Sequence, residues 1–126
     1  MTRRAITAPN AATVGPYSHA VEAAGLMFVS GQTPIDPATG RLVDGSIARQ
    51  TDQCLDNLLA VLAQRGLSAN DVVSVQVFLT QMSDFPRMNA TYEGRFATPY
   101  PARTTIGVAS LPLGARVEIA LIATLK

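Results

Sequence analysis

Residues 71–80 read Asp-Val-Val-Ser-Val-Gln-Val-Phe-Leu-Thr, and their alternation predicts a strand with Val73, Val75, Val77 and Leu79 on one face. Residues 115–125 alternate in the same way. Val117, Ile119, Leu121 and Ala123 face one side, and Arg116, Glu118, Ala120, Ile122 and Thr124 the other. Residues 26–31 form a short apolar strand in which Leu26 and Phe28 oppose Met27 and Val29, and residues 2–6 and 104–109 complete the strands. The period changes to 3.6 over residues 46–65. There Ile47, Thr51, Cys54, Leu55, Leu58 and Leu62 fall within an arc of about 100°, while Asp52, Gln53 and Asp56 form a solvated face. Ser46 is a suitable N-cap for this helix and Gly66 a left-handed stop. A second helix is expected from a cap at Asp84, with Pro86 in its first turn, a stripe of Phe85, Met88, Tyr92 and Phe96, and an end forced by Pro99 and Pro101. Residues 8–18, with Pro9, Gly15 and Pro16, read as an extended loop, and residues 34–40 as a turn.

The resulting order, β-β-α-β-α-β-β, is that of an α+β domain with two helices on one face of its sheet. Two helices cover only one side. The other face of the last strand is half apolar, and neither face of residues 26–31 is clearly polar. A sheet of this kind is expected to bury its second face against another copy of the chain.

Composition narrows the chemistry. The 126 residues make a single domain spanning 1–126. A formal net charge of +1 supplies no bulk attraction for nucleic acid or anionic membrane. Nine of the ten basic residues are Arg and the only Lys is the terminal Lys126, a poor candidate for Schiff-base or pyridoxal chemistry. One Cys (Cys54) and one His (His19) make a Cys/His zinc cluster implausible and an internal disulfide impossible. This usage, with no apparent signal peptide, points to a reducing, cytoplasmic setting. No apolar run reaches membrane-spanning length. Hydrophobic residues at 48% and charged residues at 15% again suggest a surface covered by a partner subunit.

Few side chains remain for chemistry. Arg103 follows the rigid Tyr100-Pro-Ala lead-in to a strand; its planar fork suits a carboxylate, or else a surface or interface salt bridge. Glu118 falls on the face assigned to the partner. Desolvation there would raise its pKa and suit it to proton transfer, and an interface ion pair is the alternative. Asn89, on the apolar stripe of the second helix, either ties down a loop or touches a ligand. Tyr17 is packing or a pocket wall. Gly31 ends a strand beside the hydroxyl of Ser30, and Gly107 suggests a bulge or a close approach. His19 has no Ser/Asp framework around it and reads as structural or exposed, and Cys54 as a small core residue.

Taken in order, these segments resemble the Rid (reactive intermediate deaminase) family, also called YjgF. The resemblance rests on Gly15-Pro-Tyr-Ser, Phe28-Val-Ser-Gly-Gln-Thr-Pro, Gln53-Cys-Leu-Asp-Asn-Leu, Met88-Asn-Ala-Thr-Tyr-Glu, Pro101-Ala-Arg-Thr-Thr-Ile-Gly-Val-Ala-Ser-Leu-Pro and Val117-Glu-Ile. It implies a chorismate-mutase-like α+β fold and a homotrimer with three sites in the clefts between subunits. It further implies hydrolysis of 2-imino acids or enamines to 2-keto acids, without metal or organic cofactor. Arg103 would grip the substrate carboxylate and Glu118 would position water. Tyr17, Ser30, Gly31, Asn89 and Thr105 would line or support the pocket. Thr105 stands where many relatives carry Cys, and Ala120 where some carry a second acid. The alternatives are a keto-acid-binding regulatory trimer without turnover and, against the charge balance, an RNA-cleaving or translation-inhibiting protein.

Overall fold

The computed structural model describes residues 2–8 and 15–126. Part of the expected loop over residues 8–18, including Pro9, lies outside these, and residues 15–18 carry no regular structure. Strands β1 (Arg4–Ile6), β2 (Ala20–Ala23) and β3 (Leu26–Gln32) lead into a small hairpin, β4 (Ile35–Asp36) and β5 (Arg41–Leu42). Helix α1 (Ile47–Ala63), β6 (Val72–Leu79), α2 (Phe85–Glu93), β7 (Ala102–Gly107) and β8 (Val117–Thr124) follow. The main sheet runs β1-β2-β3-β8-β6-β7. Among the described residues only β6 and β7 pair in parallel, and α2 is the crossover that such a pair requires.

The alternating runs explain the layers. Met27, Val29, Val75, Val77, Leu79, Val117, Ile119, Leu121 and Ala123 are all buried and meet Ile47, Cys54, Leu55, Leu58 and Leu62 of α1 and Met88 and Tyr92 of α2. Each buried Val, Leu, Ile or Met among them contributes about 1.5–3 kcal/mol. Both helices therefore cover one face, as the pattern predicts. On the bare face Phe28 remains 38% exposed and Ile106 45%, with Ala120 and Ile122 half-buried around Glu118.

Several expectations need correction. Val73 does not join the β6 core face. A register shift against β8 between Val72 and Ser74 re-phases the strand, so Val72 is buried and Val73 is 44% exposed. Strand β2 was hidden because its turn to β3 is Ala24-Gly25. Both residues have positive φ, +55° and +76°, as a two-residue hairpin demands, but the Asn-Gly or Asp-Gly signature is missing. The expected turn over residues 34–40 carries the β4–β5 hairpin. Ser46 caps α1 by accepting from the Arg49 amide at 3.2 Å, and Gly66 takes φ +67° past its end. Asp84 opens α2, but its carboxylate does not cap. It accepts instead from the Arg116 guanidinium, at 2.7 Å from Nη2 and 3.3 Å from Nε. Helix α2 closes at Gly94, before either proline is reached. Asp52 and Asp56, read as merely solvated, both accept from Arg95, at 2.8 and 2.7 Å, and tie α1 to the end of α2.

Candidate functional site

The Pro101-Ala102 lead-in starts β7 beside β6, with Arg103 opposite Val75. Arg103 points into the helical layer. Its guanidinium carbon lies 4.7 Å from the Tyr92 ring centroid and 5.6 Å from that of Phe85. Around it opens a cleft of about 650 Å³ lined by Pro86, Asn89, Tyr92, Glu93, Tyr100 and Arg103, among others. Among the described residues no carboxylate forms an ion pair with Arg103. Asn89 is half-buried and faces this cleft, not the core, so the loop-tying alternative does not describe it. Thr105, two residues along the same strand, presents a buried hydroxyl with no hydrogen-bond partner.

Glu118 is placed differently. Its neighbours Val117 and Ile119 are fully buried toward the helices, so strand alternation sends its side chain to the bare face. Burial there raises its carboxyl pKa above the ordinary glutamate value, and it forms no ion pair among the described residues. Gly31 lies directly beneath it. A Cβ at position 31 would collide with a carboxylate oxygen and stand 3.1 Å from Cδ. Any larger residue at this point has to displace the end of the Glu118 side chain. The local register shift between Val29 and Gln32 brings Ser30 and Gly31 into place. The Ser30 hydroxyl donates to the Ser18 carbonyl at 2.6 Å, and the Ser30 amide to the His19 carbonyl at 2.9 Å. Its proton is thus committed to holding the preceding segment, which leaves only oxygen lone pairs for a ligand. His19 proves structural: it is buried, and its Nδ1 accepts from the Ala8 amide at 2.9 Å.

The sequence-derived residues therefore fall into two groups. Arg103, Thr105 and Asn89 belong to the helical face, and Glu118, Gly31 and Ser30 to the bare face. Strand β6 stands between β7 and β8, so one protomer does not bring the groups together. Tyr17 is 46% exposed; it does not line the Arg103 cleft and precedes Ser18, whose carbonyl holds Ser30. Sequence reading missed Tyr92 and Phe85 as companions of Arg103. Their seven-residue spacing was absorbed into the core stripe, although it also places them two turns apart on one helix face. Among the described residues no group of three or more His, Cys, Asp or Glu side chains is placed to hold a metal ion. Among the described residues no helix is long and apolar enough to cross a membrane.

One helical face, one bare sheet face and an unneutralised arginine cleft at the sheet edge define a class of small α+β domain. Comparison with known proteins agrees. Residues 6–125 match the family model described as Endoribonuclease L-PSP. A RutC family protein of Sinorhizobium fredii is 47% identical over 112 residues, 89% of each chain. A protein of Dermatophagoides farinae named 2-iminobutanoate/2-iminopropanoate deaminase is 38% identical over 125 residues, 98% of each. The crystal structure of the YjgF gene product from E. coli superposes with a TM-score of 0.90 at 38% identity, covering 98% of this chain and 99% of that one. The chain belongs to the YjgF/RutC family, that is, the Rid family. Names within this group range from deaminase to endoribonuclease, so the family alone does not fix the reaction.

Proposed function

We propose that this protein hydrolyses reactive 2-imino acids, such as 2-iminobutanoate and 2-iminopropanoate, or their enamine tautomers, to 2-keto acids and ammonia. The observation that carries this reading is Arg103: a guanidinium in a cleft, with no protein counter-ion among the described residues and its donors free. Two parallel N–H···O bonds would hold the substrate carboxylate, each charge-assisted bond contributing about 1.5–3 kcal/mol. Glu118, with its raised pKa, suits the proton transfers. Ionised, it accepts a proton from water as the oxygen adds to the imine carbon. It then returns that proton to the nitrogen, and as the C–N bond breaks Glu118 takes the remaining hydroxyl proton, leaving a carbonyl and ammonia. A protonated imine is electrophilic enough to need no metal or organic cofactor.

Because the two groups occupy opposite faces of one sheet, a complete site takes Arg103, Thr105 and Asn89 from one copy and Glu118, Gly31 and Ser30 from another. The homotrimer implied by the family resemblance supplies such a seam, with Tyr17 from a neighbouring segment as a wall. A cytoplasmic location belongs to the same reading.

Coupling the purified protein to a threonine dehydratase and following loss of 2-iminobutanoate tests the proposal. Wild type accelerates the loss and Arg103→Ala abolishes the acceleration; wild type indistinguishable from buffer refutes it. A second reading, a regulatory trimer that binds keto acids without turnover, draws on the Arg103 cleft being complete without Glu118. Binding of 2-oxobutanoate that survives Glu118→Ala, with no wild-type turnover, would select it. The endoribonuclease and translation-inhibitor readings have names of relatives behind them, but a formal net charge of +1 gives this chain no bulk attraction for nucleic acid.

A further inference from the structure

Four arginines of this chain sit against partners of identifiable chemistry. Arg65 pairs with Glu22, Arg95 with Asp52 and Asp56, and Arg116 with Asp84. Arg103 is the exception: its partners are two aromatic rings. The difference has a chemical consequence. A carboxylate occupies guanidinium N–H groups in the plane of the fork, whereas a ring attracts the cation through its face and leaves the in-plane donors free. Tyr92 is nearly completely buried and leans on Phe96, with ring centroids 4.7 Å apart, so it makes a fixed surface. Burial raises its phenol pKa, against an opposing pull from Arg103. Tyr92 is thus a neutral phenol and not a phenolate counter-ion. Its hydroxyl has no hydrogen-bond partner, so it is the ring, not the oxygen, that Arg103 meets.

We infer that Tyr92, seconded by Phe85, is a positioning residue: a neutral aromatic shelf that aims the Arg103 fork into the cleft while leaving its donors to the substrate. The inference rests on the proposed carboxylate grip, but the shelf can be tested apart from turnover. An aromatic face shields protons above it, so the Arg103 Nε–H resonance, assigned by its loss in Arg103→Lys, lies upfield in the wild-type spectrum.

Tyr92→Phe keeps the shelf and removes an unsatisfied hydroxyl. It retains the upfield shift and holds KM within about three-fold. Tyr92→Leu removes the shelf. The resonance moves downfield, and KM, together with the Kd for 2-oxobutanoate, rises roughly three- to thirty-fold, the range of a cation–π contact. kcat changes much less, because the carboxylate is held alike in substrate and transition state. If Tyr92→Leu does not fold, Phe85→Leu at the more distant ring gives the same pattern with smaller amplitude. An unmoved resonance in the leucine variant that folds, or Tyr92→Phe as impaired as Tyr92→Leu, overturns the inference. If wild type shows no turnover, the deaminase reading fails by itself, and the resonance and the 2-oxobutanoate Kd still decide the role of Tyr92.

Discussion

Arg103 and Glu118 lie on opposite faces of the same sheet, on strands that flank β6 from either side. Neither has a counter-ion among the described residues. A single chain therefore owns both halves of the proposed chemistry without being able to join them.

Mixed subunits give the sharpest consequence. Arg103→Ala and Glu118→Ala are each inactive alone. After co-unfolding and refolding at equal ratio, half of the subunits supply an intact arginine and half an intact glutamate. In a closed ring roughly a quarter of sites then receive both. Deaminase activity returning to about that fraction of wild type is the expected result. Activity that stays at zero in verified mixed oligomers would show that the two residues do not share a site.

Gly31→Ala places a methyl group where the Glu118 carboxylate now lies. The obstacle is the far end of a flexible side chain, so the fold survives at a cost of about 1–2 kcal/mol. The carboxylate is displaced by an ångström or more, which lowers kcat by up to about a hundred-fold. Thermal melts and steady-state kinetics on the same sample separate the two effects.

The raised Glu118 pKa fixes two pH dependences. A base must be ionised, so kcat falls as pH drops through the raised value, earlier than for an ordinary glutamate. The stability effect has its own sign. Between the ordinary and the raised pKa the folded chain holds a proton that the unfolded chain has released. Rising pH through this window therefore lowers stability, and above it the full penalty applies. Glu118→Gln removes the penalty: it melts higher than wild type at neutral pH and the difference vanishes in acid. A difference that grows on acidification would contradict the assignment.

The Asp84–Arg116 pair joins the start of α2 to the start of β8 and is asymmetric, with Asp84 buried and Arg116 two-fifths exposed. Arg116→Ala strands a buried carboxylate and costs about 2–3 kcal/mol. Asp84→Ala frees a guanidinium that water can reach and costs about 1 kcal/mol. Urea melts of both variants should rank them in that order.

Period-two and period-3.6 patterns were strong enough to show which side of β6 and β8 meets the helices, though not which side of β3, and Ser46 and Gly66 marked the ends of α1. The failures have local causes. Alternation carries no record of a bulge, which is why Val73 was placed inside. Ala24-Gly25 closes a hairpin without the usual side chains. Asp84 serves equally well as a cap or as a buried anchor, and only the fold brings Arg116 to it. Among the candidate site residues, Arg103, Glu118, Gly31 and Asn89 were legible as chemical types. Their division between two faces was not, because the sheet order β8-β6-β7 is a tertiary fact. Tyr92 was hidden for a simpler reason: a ring that supports a cation and a ring that fills a core have the same sequence signature.

A guanidinium with unspent donors takes whatever anion the solution offers. Acetate, formate or sulfate in a storage buffer would occupy the Arg103 fork in competition with any physiological acid, so kinetic constants for this protein will carry the signature of the salt in which they were measured.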